Sequence, residues 1–123
     1  MALSAQQVLE LWRKVMAASL GRDHADLTAR QFALLLHVYL TPPPHTVRGL
    51  SAALRLSKPV ITRALDRLGR LDYVRRKRDE TDRRNVLIQR TIKGSVYLRE
   101  FGDLAAEIAA PMQPPPSGLI PSP

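Results

Sequence analysis

Ser57, Lys58, Pro59, Thr62, Arg63 and Arg67 lie around one side of a helical repeat in the stretch SKPVITRALDRLG, with Asp66 among them. Ile61, Ala64, Leu65 and Leu68 take the other side at offsets of three and four, the spacing of a face packed on a core. The polar side offers two kinds of chemistry. Lys58, Arg63 and Arg67 carry fixed positive charge suited to phosphate or carboxylate oxygens, and Thr62 and the guanidinium groups donate hydrogen bonds. Ser57 has N-cap chemistry, and Pro59 falls in the first turn, where no intrahelical N–H bond is lost. The peptide dipoles favour phosphate at the same end. A surface helix with a solvated basic face would carry the same pattern, so the surroundings decide between the two.

Those surroundings are basic. Arg75, Arg76, Lys77 and Arg78 form one run, and Arg83 and Arg84 follow the acidic cluster of Asp79, Glu80 and Asp82. From Arg48 to Arg90 there are 13 Lys or Arg against five Asp or Glu, while the flanks hold six of each, so the whole net charge of +8 sits in the middle of the chain. A charge serving solubility would be spread out. A concentrated field points to a polyanion partner.

Other chemistries find little support. The chain has no cysteine, which removes disulfides, thiolate metal sites and thiol redox sensing. His24, His37 and His45 show no ligand spacing with nearby carboxylates, and no catalytic set or glycine-rich phosphate loop is present. We therefore expect no enzyme activity, no cofactor and no metal. The N-terminus does not resemble a secretory signal, because Glu10, Arg13 and Lys14 interrupt the apolar region. No run approaches the roughly 18 apolar residues of a membrane span, so a cytoplasmic protein is expected.

The elements that would position the basic residues can be read in order. Ser4 with Gln7, and Thr28 with Gln31, are capping-box pairs that start two helices. The first runs to Leu20, with Gly21 as its C′ residue; the second, FALLLHVYL, is apolar nearly all round and belongs in the centre. TPPPH is a stiff extended connector. Thr46 then caps a short helix, VRGLSAAL, and three residues, Arg55 to Ser57, lead from it into the basic helix 57–69, which Ser57 caps. Helix, tight turn and basic helix make a helix-turn-helix. Asp72 marks a sharp turn in the left-handed region. YVRRKR and VLIQRT read as a hairpin with DETDRRN at its tip. Thr91 caps a last helix that Pro111 stops, and six prolines in the final 13 residues predict an extended tail. The fold class is α+β and mostly helical: a winged helix-turn-helix with a two-stranded β-wing and flanking terminal helices. One domain is expected over 1–110, with terminal dimerisation helices about 3–20 and 92–110, followed by the proline-rich tail 111–123.

From about Leu27 to Phe101 the sequence resembles the MarR family of bacterial transcription regulators. The pieces that match are LTARQFALLLHVY, TVRGLSAALRLSKPVITRALDRL, YVRRKRDETDRRNVLI and TIKG. The resemblance implies a homodimeric, sequence-specific repressor on a pseudo-palindromic double-stranded DNA operator, in a bacterial, nucleoid-associated setting. It places Ser57, Lys58, Pro59, Thr62 and Arg63 in or beside the major groove. It sets Arg84 in the minor groove with Asp82 holding it, which suits the attraction of narrow-groove potential for guanidinium. Arg83 and the run Arg75, Arg76, Lys77 and Arg78 are then phosphate contacts, and Arg67 is a further DNA-binding residue. A small aromatic effector is a further implied partner; Trp12, Phe32 and Tyr39 could line its pocket, although aromatics at this spacing ordinarily serve the core. Arg90 departs from the family's usual Leu, Asp72 from its usual Gly, and a C-terminal helix of about 18 residues from its long terminal pair. The rival readings are a non-specific architectural DNA-binding protein and a winged-helix protein-interaction module.

Overall fold

The computed structural model describes residues 2–112. In chain order the elements are α1 (Ala5–Leu20), α2 (Ala29–Leu40), α3 (Val47–Leu54), α4 (Lys58–Arg70), β1 (Val74–Arg78), β2 (Val86–Arg90), α5 (Ile92–Ala109) and a single 3-10 turn (Ala110–Met112). The expected winged helix-turn-helix is present. The proline-rich tail lies outside the described residues from 113 onward. The described residues form two compact units, one from residues 25–99 and one from residues 2–24 with 100–112.

The central unit is organised by α2 and α4. Leu34, Leu35 and Val38 of α2, Leu50 of α3, and Ile61, Leu65 and Leu68 of α4 are almost fully buried. The stripe read from the sequence of α4 is therefore its core face. Truncating one of these leucines to alanine costs about 2–5 kcal/mol. Tyr73, Val74 and Ile88 bring the hairpin onto the same core, and Tyr97 of α5 stacks on Tyr73 with centroids 4.5 Å apart. β1 and β2 are antiparallel in the register Val74↔Arg90 to Arg78↔Val86. Thr46 adds a bridge to Leu87, and the Ile88 N–H donates to the His45 carbonyl at 2.8 Å, so the proline linker lies along the outer edge of β2.

The helix boundaries follow their side chains. Ser4 with Gln7 and Thr28 with Gln31 form complete capping boxes, and Thr46 and Ser57 cap α3 and α4. Gly21 follows Leu20 at the helix end as expected, and it sits at φ −84°, in the right-handed region. The end of α1 tightens into i→i+3 bonds from Gly21 to Ala18 and from Arg22 to Ser19, so no left-handed residue is needed. Arg22 then donates to the Glu100 carbonyl and carboxylate at 3.0 and 3.1 Å, and His24 Nε2 lies 3.0 Å from the same carboxylate.

Asp72 does adopt the left-handed conformation, with φ 59°. It completes a Schellman ending of α4, in which Asp72 N–H donates to the Gly69 carbonyl and Tyr73 N–H to that of Leu68. That turn aims β1 back along α4. Arg55, at φ 55°, turns the chain between α3 and α4.

Candidate nucleic-acid interface

α4 owes its exposed face to the same periodicity that buries Ile61 and Leu65. Lys58, Pro59, Thr62 and Arg63 are all exposed. The Ser57 hydroxyl accepts from the Val60 N–H at 3.4 Å, so this side chain caps the helix while lying at its exposed end. Arg63 makes no ion pair or hydrogen bond among the described residues, leaving its guanidinium open to a partner. Arg67 is set apart from this group. It is half-buried, its Nη2 donates to the Asp26 carbonyl at a long 3.5 Å, and its Nε is buried without a partner.

The wing separates its cations by strand alternation. Val74, Arg76 and Arg78 share one face with Ile88 and Val86 across the ladder, whereas Arg75 and Lys77 share the other with Gln89 and Leu87. Arg76 consequently points back toward α4, where its Nη2 lies 2.8 Å from Asp66 Oδ1. Arg75 makes only a loose 3.8 Å pair with Asp72. Arg78 and Arg83 are exposed and make no ion pair among the described residues. Arg76, expected beside the other phosphate contacts, is thus already paired within the molecule.

The loop joining the strands is built on two aspartates. Asp79 accepts from the Thr81 N–H and hydroxyl at 3.0 and 2.7 Å. Asp82 Oδ1 accepts from the backbone N–H and the Nε of Arg84, each at 3.1 Å, and Oδ2 from Arg84 Nη2 at 3.3 Å. These donors favour the ionised carboxylates. The Arg84 guanidinium, followed by its backbone N–H, holds Asp82 below the usual aspartate range, and the Thr81 hydroxyl and N–H do the same for Asp79. The pairing of Asp82 with Arg84 that the sequence implied is present, and it leaves the Arg84 side chain 83% exposed.

Two residues were not legible as parts of this surface. Arg48, on the first turn of α3, adds to the positive field at Asp82, because the Thr46–Leu87 bridge brings that turn beside the wing. Arg90, noted only as a departure, reaches the end of α2: Nε donates to the Val38 carbonyl at 2.9 Å and Nη2 to that of Thr41 at 2.8 Å. Of the residues considered for an effector pocket, Phe32 and Tyr39 pack against the central core. The Tyr39 hydroxyl lies between the carbonyls of Tyr73 and Thr91, and accepts from the Thr91 N–H.

Residues 25–85, from the link ahead of α2 through the wing loop, match the sequence profile of the MarR family. That stretch belongs to the MarR family. No curated protein sequence matches it. Among solved structures, a mutant of S. aureus MepR is similar at a TM-score of 0.70 and 20% identity, over 90% of this chain and 83% of that one. The S. aureus MepR–DNA complex gives 0.66 and 21%, over 88% and 80%. Streptococcus pneumoniae FabT in complex with DNA gives 0.65 and 21%, over 89% and 81%. At these identities the likeness establishes a shared MarR-family fold.

Proposed function

We propose that the chain is a sequence-specific, double-stranded DNA-binding transcription regulator acting as a homodimeric repressor. In this reading α4 enters the major groove and the wing loop 79–85 the minor groove. The observation that carries it is the joint display of an unpaired Arg63 on α4 and a clasped, exposed Arg84 on the wing, within a basic field centred on both. Arg63 can reach a base edge, with the Lys58 and Thr62 side chains beside it. Arg84 is a guanidinium whose freedom is already reduced by Asp82, so less entropy is lost on fixing it in a groove. Arg78 and Arg83 supply phosphate contacts, which set register without reading sequence. The DNA-bound forms of MepR and FabT support the same partner by family likeness.

Two copies are required for a pseudo-palindromic operator. α1 supports this with Leu9, Trp12, Met16 and Leu20, a stripe of exposed apolar side chains spaced by three and four. Pairing through it would present two α4 helices to half-sites about one helical turn apart.

Salt-controlled competition tests the proposal. Fragments selected from random DNA by the purified protein should share a pseudo-palindrome and be bound at least about 10³-fold more tightly than bulk DNA at equal salt. Binding that depends on salt but not on sequence would replace this reading with an architectural one. Absence of salt-sensitive binding would leave a protein-interaction module.

A further inference from the structure

The end of α2 has a defect written into the sequence. Pro42, Pro43 and Pro44 stand four residues after Val38, Tyr39 and Leu40, so each of these carbonyls loses the N–H that would continue the helix. Arg90 makes up part of the loss from across the fold. It is the last residue of β2 and lies on the face shared with Val74 and Ile88. Val74 and Ile88 enter the core; the Arg90 side chain continues past the Tyr39 ring, its Cζ 5.9 Å from the centroid. It ends on Val38 O at 2.9 Å and Thr41 O at 2.8 Å. A guanidinium at a helix C-terminus also meets the negative end of the peptide dipoles.

We propose that Arg90 is a positioning residue for the wing: by donating to the Val38 carbonyl, which Pro42 leaves open, and to the Thr41 carbonyl just past the helix, it sets the direction in which the hairpin and Arg84 leave the core. The inference rests on the reading above that Arg84 enters a DNA groove. Two bonds from one rigid planar group fix orientation as well as distance, which an apolar side chain at this position would not do. The tie adds to others that hold the hairpin. β1 is held to α4 by Arg76 and Asp66 at 2.8 Å, and the middle of β2 to the proline linker by Ile88 N and His45 O. The C-terminal end of β2 is held to α2 by Arg90, and the next residue, Thr91, by the Tyr39 hydroxyl. His45 Nε2 lies 3.2 Å from the same Thr41 carbonyl, so the linker and the wing meet on one acceptor.

Because the chain has no cysteine, Arg30→Cys and Glu80→Cys, both at exposed positions, accept one spin label on α2 and one at the wing tip. Labelled chains are diluted with unlabelled protein so that only distances within a chain are read. Arg90→Leu is expected to broaden the distance distribution, and Arg90→Lys, which keeps charge without the fork, to broaden it less. Helical circular dichroism should be unchanged, since Arg90 lies outside the apolar core. An unaltered distribution in Arg90→Leu overturns the proposal. The consequence for binding is read by a cycle with Arg84→Ala on the selected operator. Arg90→Leu should weaken binding about 5- to 10-fold when Arg84 is present and less than about 2-fold when it is absent, the non-additivity of two residues acting as one unit. Losses that multiply independently also overturn it. Should Arg84→Ala itself leave affinity unchanged, the groove reading fails separately, and the label distances alone decide whether Arg90 orients the wing.

Discussion

Asp82 holds Arg84 at three points across the wing loop. Its Oδ1 receives the backbone N–H and the Nε of Arg84, both at 3.1 Å, and its Oδ2 receives Nη2 at 3.3 Å. The arrangement fixes the base of the side chain without covering it. A guanidinium in water loses much of its freedom on entering a groove, and part of that loss is already incurred here on folding. The pair therefore divides its roles, with Arg84 available to a partner and Asp82 restricting how it is offered.

Arg84→Ala is expected to weaken operator binding by about 1–3 kcal/mol, the range for one lost specific groove contact. Thermal stability should be unchanged, because the side chain is exposed and removes nothing from the core. Asp82→Asn should give a smaller loss in the same direction. Titration of both variants on one operator, beside their melting curves, checks the order.

The same clasp fixes a pH dependence. Asp82 and Asp79 have folded-state values below the ordinary aspartate value. For such groups the contribution to the folded wing is fully present above the unfolded value of about 3.9 and is lost as pH falls through the lower folded value. The loop should thus keep its form from neutral pH to below about 3.9 and loosen only on further acidification. Carboxyl carbon shifts followed by NMR against pH should place both aspartates below free aspartate in a peptide. Midpoints at or above the free value would contradict the clasp.

Gly94 is held by proximity. A Cβ there would run into the Tyr39 hydroxyl and the Tyr73 carbonyl, the two groups that join α2 to the start of the hairpin. Helix propensity alone would make Gly94→Ala stabilising. Here the steric effect should win, with a loss of about 1–3 kcal/mol or more, because backbone and a hydrogen-bonded ring must move apart. Gly102, at which an added Cβ meets nothing within 4 Å, supplies the control: Gly102→Ala should be neutral or stabilising. Paired denaturation curves test both signs.

The parts of this structure that could be read from the sequence are those set by local chemistry. Ser4, Thr28, Thr46 and Ser57 announce their helices because a cap bonds within three residues. The α4 core face is legible for a similar reason: Ile61, Ala64, Leu65 and Leu68 are buried by period alone. What escaped was long-range. Nothing near Arg90 in sequence names α2 as its partner, and its bonds to Val38 and Thr41 span 52 and 49 residues. Arg76 and Asp66 are 10 residues apart and on different elements, so a run of four cations gave no sign that one was already paired.

Assembly through α1 makes a separate prediction. Trp12 is 51% exposed and Leu9 65%, on a stripe continued by Met16. Leu9→Glu or Trp12→Glu would put a charge in the proposed self-complementary face without disturbing the central unit. Sedimentation velocity at micromolar concentration should shift from dimer toward monomer, and operator affinity should fall with it. A native protein that sediments as a monomer both free and on DNA would defeat the dimer and favour the interaction-module reading.

The last prediction separates reading from positioning. Arg63 stands unpaired on the exposed face of α4, whereas Arg78 lies at the end of β1, beside the wing loop. Arg78→Ala should weaken specific and bulk DNA about equally. It should also flatten the slope of log affinity against log salt by about one unit, because one fewer counterion is released. Arg76→Ala is expected to behave differently from its neighbour, since Arg76 is paired with Asp66 at 2.8 Å and its truncation also exposes that carboxylate on α4. Its loss should therefore exceed that of Arg78→Ala. Arg63→Ala should erase preference among sites while retaining much of the bulk affinity, because a base-edge contact carries sequence information that a phosphate contact lacks. Both DNAs must be titrated across salt for all three variants. If Arg63→Ala lowered the two affinities in parallel, α4 would be a phosphate-binding face, and an architectural protein would describe the chain better than a regulator.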